Sequence, residues 1–395
     1  MNYLTQLVTV TMLNLGNLRY RVGPSLVAVV GFAGVVLVFV GVLSIGRGFS
    51  SALEGSGRDD LVVVLRAGST SEMVSGLSFE TTRVVADAPG VARDAAGALS
   101  SPELFVLVDV EKISTGQAAN VPFRGVTSRV FDVRGGLRIV EGRRFEQGVN
   151  EVIIGHRAAA EFVGLEVGGV LRSGRVEWDI VGIFDSGGSS LESEVWTDAR
   201  VLQDAYNRGS SYQVVYAKLE SADAYDTFAG ALASDARLNV EATRETDHLA
   251  AQSQVMTTFI SVAGTFIALL MGIGAVFGAI NTMYTTVAAR AGEIATLRAL
   301  GFGRLPVLAS VLVEGMVLGV AGGVIGGAFA YFVFNGYQAS TLNFQSFSQV
   351  AFAFAVTPGL LAAGVLGALL MGLLGGILPG VRAARMPIAK ALREL

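Results

Sequence analysis

From Gly315 to Val381 the sequence contains no Asp, Glu, Lys, Arg or His. A run of about 20 apolar residues already crosses the hydrocarbon core of a bilayer. An uncharged stretch this long, interrupted by the polar patch Asn335 to Gln349, therefore reads as two spanning helices joined by a short hairpin. The spans are placed at residues 307–334 and 356–379, with the hairpin, 335–355, on the outer side. Composition points the same way. A soluble chain carries roughly a quarter of its residues charged, whereas this one has 16% charged, 52% hydrophobic and 50 glycines.

Two further spans precede these. Ser25 to Ile45 is uncharged and follows Pro24, a residue suited to the first turn of a helix, so a first span is expected at 25–46 behind a cytoplasmic N-terminal helix, 1–24. The apolar part is too long for a secretory signal and no small-residue cleavage pattern follows, so it is read as an anchor. The window Leu249 to Ala289 is also charge-free and, at about 1.5 Å per residue, is longer than the bilayer core is thick. Residues 251–286 are expected to form a stalk and second span, with the span itself near Phe259 to Thr282.

Four spans put both termini on one side. Arg19, Arg21, Arg290, Arg298, Arg304, Arg382, Arg385, Lys390 and Arg393 all fall on that face, opposed by Glu293 and Glu394, which marks it as cytoplasmic. The chain is thus expected to be a multi-pass membrane protein with both ends cytoplasmic. Residues 47–250 then lie outside, where Arg47 to His248 holds 20 Lys or Arg against 30 Asp or Glu, a balance of −10 beside +6 for the rest. This outer segment of about 200 residues is long enough for its own core. Leu61 to Leu65, Phe105 to Val110, Glu151 to Ile154, Trp178 to Phe184, Gln213 to Leu219 and Leu238 to Ala242 read as strands, with helices near Phe79 to Ala88 and Ala222 to Ser234. The fold class is thus an α-helical membrane protein with an extracytoplasmic α+β domain between its first two spans. Two subdomains are expected there: β-α-β-like pieces at the ends and a strand-rich insert at about 118–204.

Small residues form stripes in the last two spans: Gly315, Gly319, Gly323 and Gly327, then Ala368, Gly372, Gly376 and Gly380. In lipid such stripes let helix backbones approach, either within one subunit or against a second copy. Glu314 is the one ionisable residue inside a predicted span and should face protein or water; a structural hydrogen bond, or proton or substrate handling, would retain it there. The cytoplasmic segment 287–306 contains a short helical stretch with Ile294, Leu297 and Leu300 on one face and Gly301 as its stop. That is more than a connector needs, so a docking role is expected.

Searches for chemistry return nothing. The P-loop pattern is missing, as are G-x-S-x-G and H-E-x-x-H, and there are two histidines and no cysteine. The chain is therefore expected to have no catalytic residue, to bind no metal or other cofactor, and not to be an enzyme; nucleic acid is not an expected partner. The cluster Glu192, Glu194 and Asp198 near Trp196 is expected to be an exposed loop of solvated charges rather than a cation site, and the Gly-Gly pairs at Gly135, Gly168 and Gly187 to be turns.

AGEIATLRALGFGRLPVLASVLVEGMVLGVAGGVIGG (Ala291 to Gly327) resembles the FtsX-like permease domain of the MacB family of ABC transporters, with Glu293 and Ile294 as its acidic-isoleucine pair, Arg298 to Gly301 as its Arg-Ala-Leu-Gly run and Glu314 as its glutamate early in the third span. RAARMPIAKALREL (Arg382 to Leu395) is similar to that family's tail, residues 380–395. FRGVTSRVFDVRGGLRIVEGRRF (Phe123 to Phe145), NEVIIGHRAA (Asn150 to Ala159) and WDIVGIF resemble its periplasmic core domain. Two features depart from the pattern: full-length MacB proteins carry an ATPase on the same chain, and the first span here follows RYRVGPS rather than an arginine-threonine-leucine run.

The resemblance implies a permease subunit of a type VII ABC transporter that works with a second copy or a related permease in the membrane lipid, driven by a separate ABC ATPase carrying ATP and Mg. Glu293, Ile294, Arg298, Gly301, Phe302 and Arg304 would be the contacts with that ATPase. Its closure would move the spans as levers and reshape the outer domain, a mechanotransmission that exports or extracts an amphiphile, peptide, lipid or lipoprotein, with a periplasmic adaptor and outer-membrane channel as further partners. The alternative is an FtsX-like signalling subunit that controls an outer cell-wall hydrolase without transport. The large outer segment favours transport.

Overall fold

The computed structural model describes residues 3–17, 22–54, 57–343 and 348–387. Arg19, Arg21, Lys390, Arg393, Glu394 and the end of the family-like tail lie outside the described residues. The chain divides into two compact units: Met1–Arg47, Thr258–Tyr337 and Phe354–Leu395 make one, and Gly48–Thr257 with Gln338–Ala353 the other.

In chain order the elements are α1 (Tyr3–Asn17), α2 (Val22–Glu54), β1 (Leu61–Arg66), α3 (Phe79–Ala86), β2 (Arg93–Asp94), β3 (Gly97–Ala98), β4 (Ser100–Glu111), β5 (Ala118–Val126), α4 (Val130–Arg134), β6 (Arg138–Gly142), β7 (Glu151–Gly155), α5 (His156–Glu161), β8 (Val170–Ser173), β9 (Val176–Asp185), β10 (Val195–Asp198), α6 (Ala199–Ala205), β11 (Val214–Lys218), α7 (Tyr225–Ser234), β12 (Val240–Arg244), α8 (Glu245–Ala289), α9 (Ala291–Ala299), α10 (Arg304–Phe334), β13 (Gln338–Asn343), β14 (Ser348–Ala353) and α11 (Pro358–Arg385).

The first unit is helical. Among the described residues, α2, α8, α10 and α11 are long and apolar enough to cross a membrane. Local chemistry sets their ends: Pro24 lies in the first turn of α2, and Thr357 caps α11 by accepting from the Leu360 amide, while Pro358, with no N–H to leave unpaired, takes the first helical position. The 45 residues of α8 extend about 68 Å at 1.5 Å each, far more than a bilayer core requires. Its portion up to Thr257 belongs to the second unit. Phe32, Val36 and Val40 of α2 pack with Ala279, Leu318, Ala330 and Ala368, and Asn14 of α1 donates to the Ser310 hydroxyl at 2.6 Å.

The second unit is built on one sheet, ordered β12-β1-β11-β4-β5-β10-β7-β9-β6, with β8 on β9. Strand β4 joins its halves. Ser100 to Glu103 pair with β11, and from Leu104 onward β4 pairs with β5. β4 is longer than the Phe105 to Val110 expectation because polar residues at each end continue the ladder. Each half has its own core: Val62, Val64, Val215 and Ala217 under Val85 and Phe228, and Val121, Phe123, Val152 and Ile154 around Trp178.

Two features of this unit differ from or go beyond the sequence expectation. The cluster Glu192, Glu194 and Asp198 is not a solvated loop. All three are buried: Glu192 pairs with Arg157 at 3.2 Å, Glu194 with Arg124 at 2.8 Å, and Asp198 caps α6 through the amides of Arg200 and Val201. Clustered in sequence, these acids suggest an exposed loop of solvated charges, but each has found a separate cation or helix end. The polar patch after α10 forms an antiparallel β-hairpin, Gln338 opposite Ala353 through Asn343 opposite Ser348. It is part of the second unit, held by Lys112 to Ser340 at 2.6 Å, Arg157 to the Ala351 carbonyl at 2.6 Å, and Phe352 edge-on against Phe49.

Candidate functional site

The residues singled out from sequence fall in the first unit around α9. Arg290 breaks the helical path after α8, α9 follows, and Gly301 then turns the chain with φ of +94°, a left-handed value that favours glycine. Gly303 starts α10, its amide donating to the Gln6 side chain of α1 at 3.3 Å. Ile294 faces inward onto Met283, Val287, Val307, Val311 and Ala383. Leu300 does not share that face. It is 72% exposed: its amide still bonds the Thr296 carbonyl, and six residues on from Ile294, at 3.6 residues per turn, it lies about 120° around the helix, with the turn following at Gly301. The apolar stripe inferred from sequence is thus split into an anchor and an exposed residue. Phe302 is half-buried, and Arg304 and Leu305 are exposed.

Three polar ties fix this corner. Glu314 of α10, buried, accepts from Arg290 Nη1 at 3.2 Å, and Arg290 Nε reaches Glu293 at 3.3 Å. An isolated carboxylate within a span costs several kcal/mol, so this arginine is what retains it. Arg298 Nη1 donates to the carbonyls of Ala384 and Met386 at 3.0 and 2.9 Å, serving the open C-terminus of α11. Glu293, Ile294, Arg298, Gly301, Phe302, Arg304 and Glu314 therefore belong to one braced corner that offers Leu300, Arg304, Leu305 and the outer side of Glu293 to solvent.

The glycine residues lie elsewhere in the same unit, along the α10–α11 contact. A methyl group at Gly315 would meet the Gly372 carbonyl oxygen, one at Gly319 the Ala368 carbonyl oxygen, and one at Gly323 would stand 2.9 Å from the Val365 Cα. Gly327 faces only the Leu361 side chain at 3.3 Å, and Gly376 the Leu312 Cα at 3.4 Å. Off the stripe, Gly322 and Gly326 give α2 the same close approach, at Phe32 and Ala33. Their role was not read from the sequence, although the pairs Gly322-Gly323 and Gly326-Gly327 carry the signal of a helix packed on two sides.

Sequence reasoning also missed a buried ion network in the second unit. Arg124 of β5 donates through Nε and Nη2 to Glu194 at 2.8 and 2.9 Å, and through Nη1 to Glu72 at 2.6 Å and Glu103 at 3.0 Å. Arg134 adds two bonds to Glu103 and lies 3.6 Å from the Tyr216 ring centre, while the Tyr216 hydroxyl donates to Glu72 at 2.5 Å. Burial works against the Glu72 carboxylate, but Arg124, Arg134 and the Tyr216 hydroxyl outweigh it and hold its pKa below the ordinary carboxylate range. Burial, reinforced by Glu72, pushes the Tyr216 phenol well above its usual value. Glu194 also receives the Trp196 indole N–H at 2.6 Å. One signal was present: Glu103 and Arg124 stand inside strand-forming runs, where a charge is retained only if paired.

Fold and composition define a multi-pass membrane protein with an α+β domain between its first two spans. Residues 25–234 match the MacB-like periplasmic core domain and residues 258–388 the FtsX-like permease C-terminal region. The chain belongs to the family of MacB-like permeases. It is 27% identical over 299 residues to the macrolide export ATP-binding/permease protein MacB 1/2 of Paracoccus denitrificans (69% of this chain, 44% of that protein) and 27% identical over 239 residues to MacB of Rhodopseudomonas palustris (55% and 36%). It thus spans less than half the length of these curated relatives. Among solved structures, the periplasmic region of MacB from Actinobacillus actinomycetemcomitans aligns with a TM-score of 0.38 at 11% identity, covering 49% of this chain and 92% of that one. The extracellular domain of the noncanonic ABC-type transporter YknZ from Gram-positive bacteria aligns with a TM-score of 0.35 at 17% identity, covering 46% and 99%.

Proposed function

We propose that this chain is the permease subunit of a MacB-type ABC transporter in the bacterial inner membrane, with both termini cytoplasmic. A separate ABC ATPase, carrying ATP and Mg, docks on the α9 corner, and a second copy or a related permease completes the pair. Movement of the spans drives a change in the outer domain that exports or extracts an amphiphile, peptide, lipid or lipoprotein, handed on to an adaptor and outer-membrane channel. The observation that carries this reading is the braced corner: Arg290–Glu314, Arg290–Glu293 and Arg298 on the α11 carbonyls tie α8, α9, α10 and α11 together while Leu300, Arg304 and Leu305 stay exposed. A force applied there reaches three spans at once.

Because Arg298 holds α11, its replacement would confound docking with folding, and Leu300 is the cleaner probe. Leu300→Glu places a charge on an exposed residue and should leave membrane insertion and yield unchanged while reducing co-purification of the co-expressed ABC ATPase at least tenfold, the effect of about 1.4 kcal/mol. Undiminished co-purification would remove the corner as the docking surface. An outer cell-wall hydrolase co-purifying in place of any cargo would favour the FtsX-like signalling reading.

A further inference from the structure

The connection from α10 to α11 is more than two spans need. Neighbouring helices are joined by about 2–8 residues, yet Asn335 to Thr357 contains a paired hairpin, β13 and β14. Two strands alone are marginal in water, so this pair depends on what holds it. Its ladder continues toward the helices. Beyond the pair Gln338 and Ala353, the Phe354 N–H donates to the Tyr337 carbonyl and the Gly336 N–H to the Phe354 carbonyl, both at 2.9 Å. Ala355 N–H then donates to the Ser44 carbonyl at 3.1 Å and Val356 N–H to the Asn335 side chain at 3.2 Å. No slack chain separates either helix from its strand.

Farther along, two cations grip the hairpin. Lys112, in the turn after β4, donates to the Ser340 hydroxyl at 2.6 Å and to Gln349 Oε1 at 3.3 Å, and pairs with Glu161 of α5 at 2.8 Å. Its three N–H groups are thus spent on one strand, the other strand and the domain. Arg157, four residues before Glu161 and on the same face of α5, donates to the Ala351 carbonyl at 2.6 Å and pairs with Glu192 at 3.2 Å. The Ala351 N–H goes to the Ser193 hydroxyl at 3.0 Å, so both backbone groups of Ala351 are bonded to the domain. Phe352 is buried edge-on against Phe49, and Gly48 comes so near the Ala353 carbonyl that a methyl group there would overlap it. β14 also packs on β5, the strand that carries Arg124.

We propose that the β13–β14 hairpin is a stiff tie that delivers movement of α10 and α11 to the outer domain at α5 and β5, with Lys112 and Arg157 as the positioning residues that fix its grip. A loose connection would absorb a shift of the spans in its own backbone. Here the path from either helix to the grip is bonded throughout, and the grip holds both strands. The proposal rests on the permease reading above, since it names a route by which an ATPase-driven movement reaches the outer domain.

The test is hydrogen exchange read by mass spectrometry on the full chain in lipid nanodiscs with its co-expressed ABC ATPase, free and trapped with ATP and vanadate. In the parent, trapping should change the protection of α9, β14 and α5 together. Lys112→Met leaves a half-buried Glu161 that water can reach, and should speed exchange of the β14 amides about tenfold, the loss of one charge-assisted bond. It should keep the α9 response and lose that of α5, and Lys112→Arg should restore the latter. Phe352→Ala leaves every ion pair in place and should part the two responses in the same way, which keeps the test decisive if Lys112→Met folds poorly. A merely structural role would lower the thermal midpoint without parting them. An α5 response kept in both variants, or an α9 response in the parent with none at α5, would overturn the tie and leave the permease reading standing; no response at any site would overturn both.

Discussion

At the scale of single residues, the second unit depends on paired buried charges. Arg124 alone serves three carboxylates, and removing one member of such a set strands the others in a low dielectric, a cost of about 3–5 kcal/mol. Glu72 gives this a pH signature. Its folded pKa is depressed below the unfolded value of about 4.3, so its contribution is complete above that value and is lost as pH falls through the folded pKa. Tryptophan emission followed from pH 7 to pH 2 should show the outer domain losing stability on the acid side, with Glu72→Gln less stable at pH 7 and shallower in its acid slope. An acid slope identical in the two proteins would detach Glu72 from the network. These residues were illegible in sequence for a simple reason. Arg124 lies 70 positions from Glu194 and 52 from Glu72, and the Tyr216 to Glu72 bond spans 144, so periodicity says nothing of them. Glu194 next to Glu192 looked like a solvated acidic loop because their cations arrive from β5 and α5.

At the scale of elements, the α10–α11 contact rests on backbone approach rather than side-chain volume. Lipid supplies no hydrophobic force between helices, so what holds them is dispersion across a glycine seam. The seam is not uniform. Gly319→Leu drives a side chain into the Ala368 backbone and should cost at least about 1–3 kcal/mol, read as a lower thermal midpoint in nanodiscs. Gly327→Ala meets only the movable end of Leu361 at 3.3 Å and should stay within about 0.5 kcal/mol of the parent. Equal losses in both would mean that the seam is not set by backbone contact. The four-residue spacing of this stripe was readable in sequence, whereas the second face toward α2, at Gly322 and Gly326, was hidden by the first. The sequence points to a hairpin at 335–355 but not to its strand pairing or its place in the second unit. Its alternating segments QASTLN and SQVAFA are too short and too polar to announce a strand pair before the domain that receives them is known.

At the scale of the whole molecule, spans and outer domain were legible because charge exclusion and strand-forming runs are local signals. In the function proposed here the α9 corner joins them, as the place where a docked engine would pull on α8, α10 and α11 together. The sequence has no cysteine, so single cysteines placed at Leu300 and at Glu146, both exposed, are unique attachment points for a benzophenone cross-linker. The most direct measurement is photo-cross-linking in cells that co-express an ABC ATPase, with adducts identified by mass spectrometry. Capture of the ATPase from position 300 and not from position 146 is the expected result; capture from 146, or from neither position while the ATPase is present, would contradict a lever driven from the α9 corner.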